Sequence, residues 1–293
     1  YKRQELVLIE FNKDFAQMPA EEFVQTVLID RLGAGWLKAR LEARGVAVPA
    51  YLSLAAEKGG FYSVVDGKRA NLLPDGTVEP IARGDGVLLL SDLKPAAKPV
   101  EDWGAASLWD LGDGVACLEF RTKMNTYNPA LLDAINKAVE RTAKDFKALV
   151  IGSDAAVFSA GADLRVFLDT VEKGGREALG AFIDHGHRTF KAVKYAPFPV
   201  VGAAAGLALG GGCEILLHCD AIQAHAELSI GLVETRIGVV PGWGGCKEMM
   251  LRFSASTAAL RGPVAPAIAA FNLIAPARVS ASAFDARRPV SYT

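Results

Sequence analysis

From Tyr195 to Cys213 the chain runs nineteen residues without a charge, and the residue that follows is Glu214. On length alone such a stretch could cross a bilayer. Its composition argues against that. Pro197 and Pro199 stand near its start and Gly210, Gly211 and Gly212 near its end, so a continuous helix would be broken at one end and weakened at the other. The pattern fits a buried strand that passes through a tight turn into a short helix, with no membrane insertion. GLALGGGCE, Gly206 to Glu214, then raises a chemical problem, because bare backbone and a carboxylate arrive at the same place. A carboxylate in such apolar surroundings has its pKa raised unless it is paired.

The flanking sequence has the alternation of an α/β protein. GVACLEF (114–120) reads as a strand and KALVIGS (147–153) as the next. Between them NPALLDAINKAVERTAKD reads as a helix with Asn128 as its cap, Pro129 in its first turn, and a stripe of Leu131, Ile135 and Val139. Strand, helix, strand points to a right-handed crossover. A loop over 154–162 leads into a helical region from Asp163, with a long helix expected over 176–194. A strand is expected over 199–204, and shorter ones over 221–225 and 236–240. Upstream, 21–45 reads as one helix with an apolar stripe of Phe23, Val27, Leu28, Leu32 and Leu37. Asp66-Gly67 and Asp75-Gly76 mark turns between short strands. The stretch 91–110 carries Lys94, Pro95, Lys98 and Pro99 with few large apolar residues, and reads as a linker.

Two loops have the composition for chemistry. FSAGADL (158–164) and GLALGGGCE each stand where a crossover chain turns into a helix, and free N–H groups point outward at such starts. Two of them aimed at one point form an oxyanion hole. Either loop alone reads equally well as close packing without a ligand. Neither is a nucleotide fingerprint, since GLALGG lacks the GxGxxG spacing and no GxxxxGK[ST] occurs. A third segment, SIGLVETRIGVVPGWGG (229–245), carries Glu234 twenty residues after Glu214. Two acids in apolar, glycine-rich surroundings can divide into one protonated and one ionised member. Arg236 is near enough in sequence to pair with Glu234.

Composition narrows the field. Thirty-two basic residues balance thirty-three acidic ones with no basic block, which leaves no nucleic-acid surface. Four scattered histidines offer no ligand spacing, so no metal is expected. The four cysteines form no CxxC pair and read as reduced thiols, Cys213 and Cys219 as small buried fillers. The chain shows no basic-plus-apolar leader at Tyr1, and a cytoplasmic location is expected. Among the tryptophans only Trp243, beside a site loop, is a candidate to touch substrate. Asp163 is placed to cap a helix.

FSAGADL, GLALGGGCEILLHCD and SIGLVETRIGVVPGWGG, in this order and spacing, resemble the crotonase superfamily of enoyl-CoA hydratases and isomerases over about 114–250. PGWGGCKEM resembles a branch in which a hydratase module follows a 3-hydroxyacyl-CoA dehydrogenase module, and residues 1–90, including GGFYSVVDG, resemble more weakly the tail of that dehydrogenase part. The resemblance implies an α/β fold with a crotonase-like ββα spiral core and a small, mainly helical N-terminal appendage. The implied organisation is 1–90 as a dehydrogenase remnant, 91–110 as linker and 111–293 as the hydratase-like domain. That domain ends sooner than the family's helical C-terminal region and is expected to be truncated.

The same resemblance assigns the site. Ala162 and Gly211 would supply the two oxyanion N–H groups, and Glu214 and Glu234 match the two catalytic glutamates of hydratases. Lys123, Met124, Ala160, Gly161, Asp163, Leu164, Gly210, Pro241, Gly242 and Trp243 would bind substrate. The implied reaction is reversible hydration of a 2-trans-enoyl-CoA in fatty-acid β-oxidation. It needs no cofactor, CoA being part of the acyl-CoA thioester substrate. Retention of both acids argues against the alternative, a Δ3-Δ2-enoyl-CoA isomerase, which needs one; a non-catalytic acyl-CoA-binding fragment is the other. A homotrimer or hexamer is implied. Val233 stands where a proline is common, and Trp243 and Cys246 replace smaller or hydroxyl residues.

Overall fold

The computed structural model describes residues 26, 28–84, 86–255 and 262–287. The chain divides into two compact units, 1–97 and 98–293.

In the first unit the described residues form helix over 28–32, α1 (Ala34–Glu42), α2 (Ala50–Lys58), an antiparallel sheet of β1 (Tyr62–Val65), β2 (Lys68–Leu72) and β3 (Val78–Pro80), and the helical turn α3 (Leu90–Leu93). Ile29, Leu41, Leu52, Phe61 and Leu72 form its core. Asp30 ties helix to sheet, its carboxylate accepting the N–H groups of Phe61 and Tyr62 at 2.7 Å each. The single helix expected over 21–45 is divided, because Gly33 adopts φ 92° and starts a new helix at Ala34. The expected stripe is also rotated. Leu28 and Leu32 are about half exposed, while Ile29, Ala34 and Leu41 are buried. Phe23 and Val27 lie outside the described residues.

The second unit is built on a six-stranded sheet. β4 (Glu101–Asp102), β5 (Ala106–Asp110) and β6 (Val115–Phe120) pair antiparallel. Helix α4 (Pro129–Asp145) then crosses to β7 (Ala148–Gly152), parallel to β6. Asn128 caps α4 by accepting Leu131 N–H at 2.9 Å, and Leu131, Ile135 and Val139 are buried as their spacing requires. Helix α5 (Leu164–Lys194) returns to β8 (Val200–Ala204), and β10 (Ala221–Ala224) closes the sheet in the order β10-β8-β7-β6-β5-β4. Between β8 and β10 lie β9 (Leu207–Leu209) and α6 (Gly211–His218), and β9 pairs in parallel with β11 (Ser229–Gly231) as a separate two-stranded sheet. A 3-10 turn (Glu234–Ile237), α7 (Gly245–Ala255), α8 (Ala265–Ile274) and α9 (Ala283–Ala286) complete the described chain. No helix among the described residues is long and apolar enough to cross a membrane.

Two expectations need correction here. The segment read as a linker contributes β4 and β5. Ala106, Ser107, Leu108 and Trp109 are all buried, so β5 is an interior strand made partly of small residues, and it shows neither a long apolar run nor alternation. The helical region expected from Asp163 is present as α5, capped by Asp163 (Oδ1 accepting Arg165 N–H at 3.0 Å) and interrupted at Gly175, φ 62°, so that its second half coincides with the long helix expected over 176–194. The strand expected over 236–240 is absent. The chain there makes the 3-10 turn and leaves it through Gly238 at φ 78°, a conformation outside any strand.

Candidate active site

The loop after β7 is fastened on both sides by backbone. Ser159 N–H donates to Leu207 O at 3.0 Å and Ser159 O accepts Leu209 N–H at 2.9 Å, which stitches the loop to β9. Its hydroxyl donates to Asn125 O at 2.7 Å and accepts Gly161 N–H at 3.1 Å. On the other side Tyr127 N–H donates to Gly161 O and Asp163 N–H to Tyr127 O, each at 2.9 Å. In such a bridge the residue between the two partners, Ala162, has its own N–H turned away from Tyr127. No protein acceptor takes it among the described residues.

The second N–H follows from helix geometry. Gly211 is the first residue of α6, so its N–H has no partner within the helix. The two loops meet backbone to backbone at Gly161, whose φ is 87°. A Cβ there would lie 2.9 Å from Leu209 O and 3.2 Å from Gly211 N, so only glycine allows the approach. Gly211 is equally constrained, because a Cβ would meet the Trp243 ring at 2.8 Å.

These loops open on a cavity of about 650 Å³. Ala160, Gly161, Ala162, Leu164, Gly210, Gly211, Glu214, Glu234, Gly242 and Trp243, all expected at a site, line it. Four other expected residues do not. Lys123 and Met124 lie in the 3-10 turn Lys123–Asn125, about half of Met124 is exposed, and its carbonyl accepts Ala160 N–H at 3.1 Å. Asp163 turns its carboxylate to the start of α5, and Pro241 is buried outside the wall. The sequence reading missed the wall made by α5. Phe167, Leu179, Phe182 and Ile183 face the cavity, and their three- and four-residue spacings within each half of the helix are the signal that marks such a face. Tyr127, fully buried under Trp243 at a ring separation of 5.6 Å, was missed too.

The two carboxylates differ in their partners. Glu214 is 2% exposed, and its Oε1 accepts the N–H groups of Trp243 and Gly245, both at 2.8 Å. Burial pushes its pKa up to about 8, the charge of Glu234 adding to the rise and the two N–H donors opposing it. Burial likewise pushes Glu234 up to about 7, against the weak pull of the nearby Glu234 and Val233 N–H groups. Both oxygens of Glu234 are buried without a hydrogen-bond partner. Arg236 does not pair with it. That guanidinium reaches Ala277 O at 3.3 Å. Two carboxyls on one apolar cavity thus exchange their protons across the neutral range, and between the two steps the pair holds one.

The model of the enoyl-CoA hydratase/isomerase family matches residues 111–259. A probable 3-hydroxyacyl-CoA dehydrogenase of Bacillus subtilis is 34% identical over 262 residues, 88% of this chain and 32% of that protein. The fatty acid oxidation complex subunit alpha of Idiomarina loihiensis is 35% identical over 140 residues, 46% of this chain and 19% of that protein. The chain therefore spans a third or less of the length of these relatives. Among solved structures, an enoyl-CoA hydratase from Bacillus anthracis aligns with TM-score 0.54 and 24% identity over 64% of this chain and 68% of that one. One from Polaromonas aligns with TM-score 0.55 and 22% identity over 64% and 69%. At these identities the likeness is one of fold.

Proposed function

The chain belongs to the enoyl-CoA hydratase/isomerase family, and on that premise we propose that it catalyses the reversible addition of water to 2-trans-enoyl-CoA thioesters. The observation that carries this reading is the pair of acids, Glu214 and Glu234, on one apolar cavity with the outward N–H groups of Ala162 and Gly211. The thioester oxygen sits between those two N–H groups. As water oxygen bonds to the β-carbon, the electron pair of the 2,3-double bond moves toward the thioester and charge develops on its oxygen as an enolate. Fixed donors stabilise that charge more than the neutral ground state, each contributing about 3 kcal/mol in comparable sites.

The proton transfers follow from the surroundings of the acids. While the pair holds one proton, the hydrogen bonds from Trp243 and Gly245 favour the ionised form at Glu214, and Glu234 accepts no hydrogen bond and feels only the pull of the nearby Glu234 and Val233 N–H groups. The reacting state has Glu214 ionised and Glu234 protonated. That Glu214 is pushed higher does not conflict with this. Part of its rise comes from the charge on Glu234, which is gone once Glu234 is protonated. Glu214 then takes a proton from the attacking water, and Glu234 gives its proton to the α-carbon. Lys123 and Met124, joined to the site loop through the Ala160–Met124 hydrogen bond, are proposed to meet the CoA portion. The match to the Bacillus subtilis protein spans 88% of the chain and supports reading 1–90 as the tail of a dehydrogenase module.

The test is an assay of the purified protein with a 2-enoyl-CoA and a 3-enoyl-CoA side by side. Hydration of the 2-enoyl ester as the faster reaction is expected. Faster conversion of the 3-enoyl ester would make the protein an isomerase, and tight binding without turnover would make it an acyl-CoA-binding module.

A further inference from the structure

Four residues after Glu214, one turn further along α6 and outside the cavity wall, the same helix carries His218, buried at 3% exposure. Its Nδ1 lies 2.7 Å from the carbonyl oxygen of Glu214. A carbonyl only accepts, so the proton is assigned to Nδ1. The adjoining Cε1–Nε2 edge of the ring faces Gly244, where a Cβ would lie 2.9 Å from Cε1 and 3.0 Å from Nε2. Gly244 is the middle residue of the turn whose outer members, Trp243 and Gly245, give their N–H groups to the Glu214 carboxylate. The turn is held from behind as well. Gly244 O accepts Glu248 N–H at 2.9 Å, and the buried Glu248 carboxylate is bonded by Lys194, at 2.6 Å to each oxygen, and by Lys247 at 2.6 Å. His218 Nε2 stands 3.6 Å from Glu248. Asp220 and Arg252 line the small cavity beside this cluster.

We propose that His218 is a positioning residue for the acid–base pair: suspended from the helix that carries Glu214, its ring braces Gly244 and so keeps the Trp243 and Gly245 N–H groups on the Glu214 carboxylate. The observation that recommends His218 is how close its ring lies to a glycine, with no room left for a Cβ at Gly244, and it links two parts of the chain that must keep a fixed distance for the carboxylate to stay bonded. Burial holds the imidazole below its ordinary pKa, so the ring is neutral at neutral pH and acts by shape and by its one donor. Loss of the brace frees the turn. The two N–H groups then no longer favour the ionised carboxylate, and Glu214 binds its proton more tightly. The catalytic consequence rests on the proposed hydratase reading. The effect on Glu214 itself does not.

The experiment is a titration of carboxyl-13C-labelled glutamate in the whole chain by NMR, with the Glu214 signal assigned by its loss in Glu214→Gln. Wild type is compared with His218→Ala and with His218→Asn, which keeps a donor for the Glu214 carbonyl and removes the edge on Gly244 together with the ring's packing on Phe190 and its approach to Glu248. The Glu214 midpoint is expected to rise by about half a pH unit or more in both, roughly a threefold gain in proton affinity. The acid limb of kcat/KM should move up with it, and kcat should fall more than KM changes. An unchanged midpoint in folded His218→Asn overturns the proposal, whatever happens to thermal stability, and if His218→Ala does not fold His218→Asn decides alone. A wild type without enoyl-CoA turnover would count against the proposed function, while the titration would still decide on His218.

Discussion

The cavity has two halves, and they are made differently. One half, from Ser159 to Leu164 and from Leu207 to Glu214, is backbone stitched to backbone, closed by glycines that no other residue could replace, and ends in a carboxylate with two N–H donors. The other half is the 3-10 turn Glu234–Ile237 and the segment after it. No residue of that turn is buried as a whole, and Ile237 and Val240 are more than half exposed. Its acid has buried oxygens and no partner. The difference matches two demands of the proposed chemistry. Where charge develops, donors must be in place beforehand, because a donor that has to reorganise gives up part of its stabilisation. Where a proton must leave, a carboxyl held neutral by burial alone can release it, since no hydrogen bond ties it to one state.

The largest expected effect comes from removing either acid. Glu214→Gln keeps an oxygen for Trp243 and Gly245 and loses the base. Glu234→Gln leaves the turn intact and loses the acid. Each should lower kcat by about 10²–10⁴-fold, with acyl-CoA binding, measured by calorimetry, little changed. The comparison breaks if Glu234→Gln keeps near-wild-type turnover while Glu214→Gln is dead. The halves would then not be an acid–base pair, and the one-acid isomerase reading would gain.

A smaller effect sharpens the same contrast. The pair changes protonation around about 7 and about 8. Below this range both acids are protonated and there is no base; above it both are ionised and there is no acid. Turnover should peak between the two values and fall by about tenfold per pH unit on either side. In Glu234→Gln the residual activity should lose the basic limb, which reports the proton on Glu234, and keep the acid limb of Glu214, because that limb already belongs to the state with Glu234 uncharged. A basic limb that persists in Glu234→Gln would mean that Glu234 is not the acid of the pair.

The halves also differ in how far the sequence reveals them. The stitched half is legible because its cause is local: FSAGADL and GLALGGGCE each show glycine beside a helix start, and Asp163 and Asn128 cap where their residue types favour capping. The other half misleads. RIGVV has the β-branched composition of a strand, yet Glu234 and Gly238 place a 3-10 turn and a left-handed residue there, and the exposed Ile237 and Val240 have no partner strand to make the composition count. β5 fails in the opposite way, since ASLWD is short and partly small, and only its pairing with β6 makes it an interior strand. The wall from α5 had a signal, but the break at Gly175 divides it into two short stripes, Leu164 with Phe167 and Leu179 with Phe182 and Ile183. His218 left no signal, because its contact is with Gly244, twenty-six residues away and fixed only by tertiary structure.

The smallest effect is on stability, and it separates the two acids by its size. A buried carboxyl whose pKa is higher in the folded chain than in the unfolded one, where a glutamate lies at about 4.3, gives the native state more bound protons between those two values. Its contribution is therefore present at low pH and is lost as pH rises through the folded values of the pair, about 7 and about 8. Glutamine has no proton to lose. Glu214→Gln should thus gain in Tm relative to wild type as pH increases from 5, by a few °C in all, and the gain should level off above about 8. Glu234→Gln should show a smaller gain, because its carboxyl is less deeply buried. Scanning calorimetry of the three proteins at matched ionic strength measures both. A Tm difference that does not vary with pH would mean that Glu214 is already ionised throughout this range, with its two N–H donors outweighing burial. Loss of activity with gain of alkaline stability in the same variant would instead identify the buried charge as a cost the fold carries for the proposed reaction.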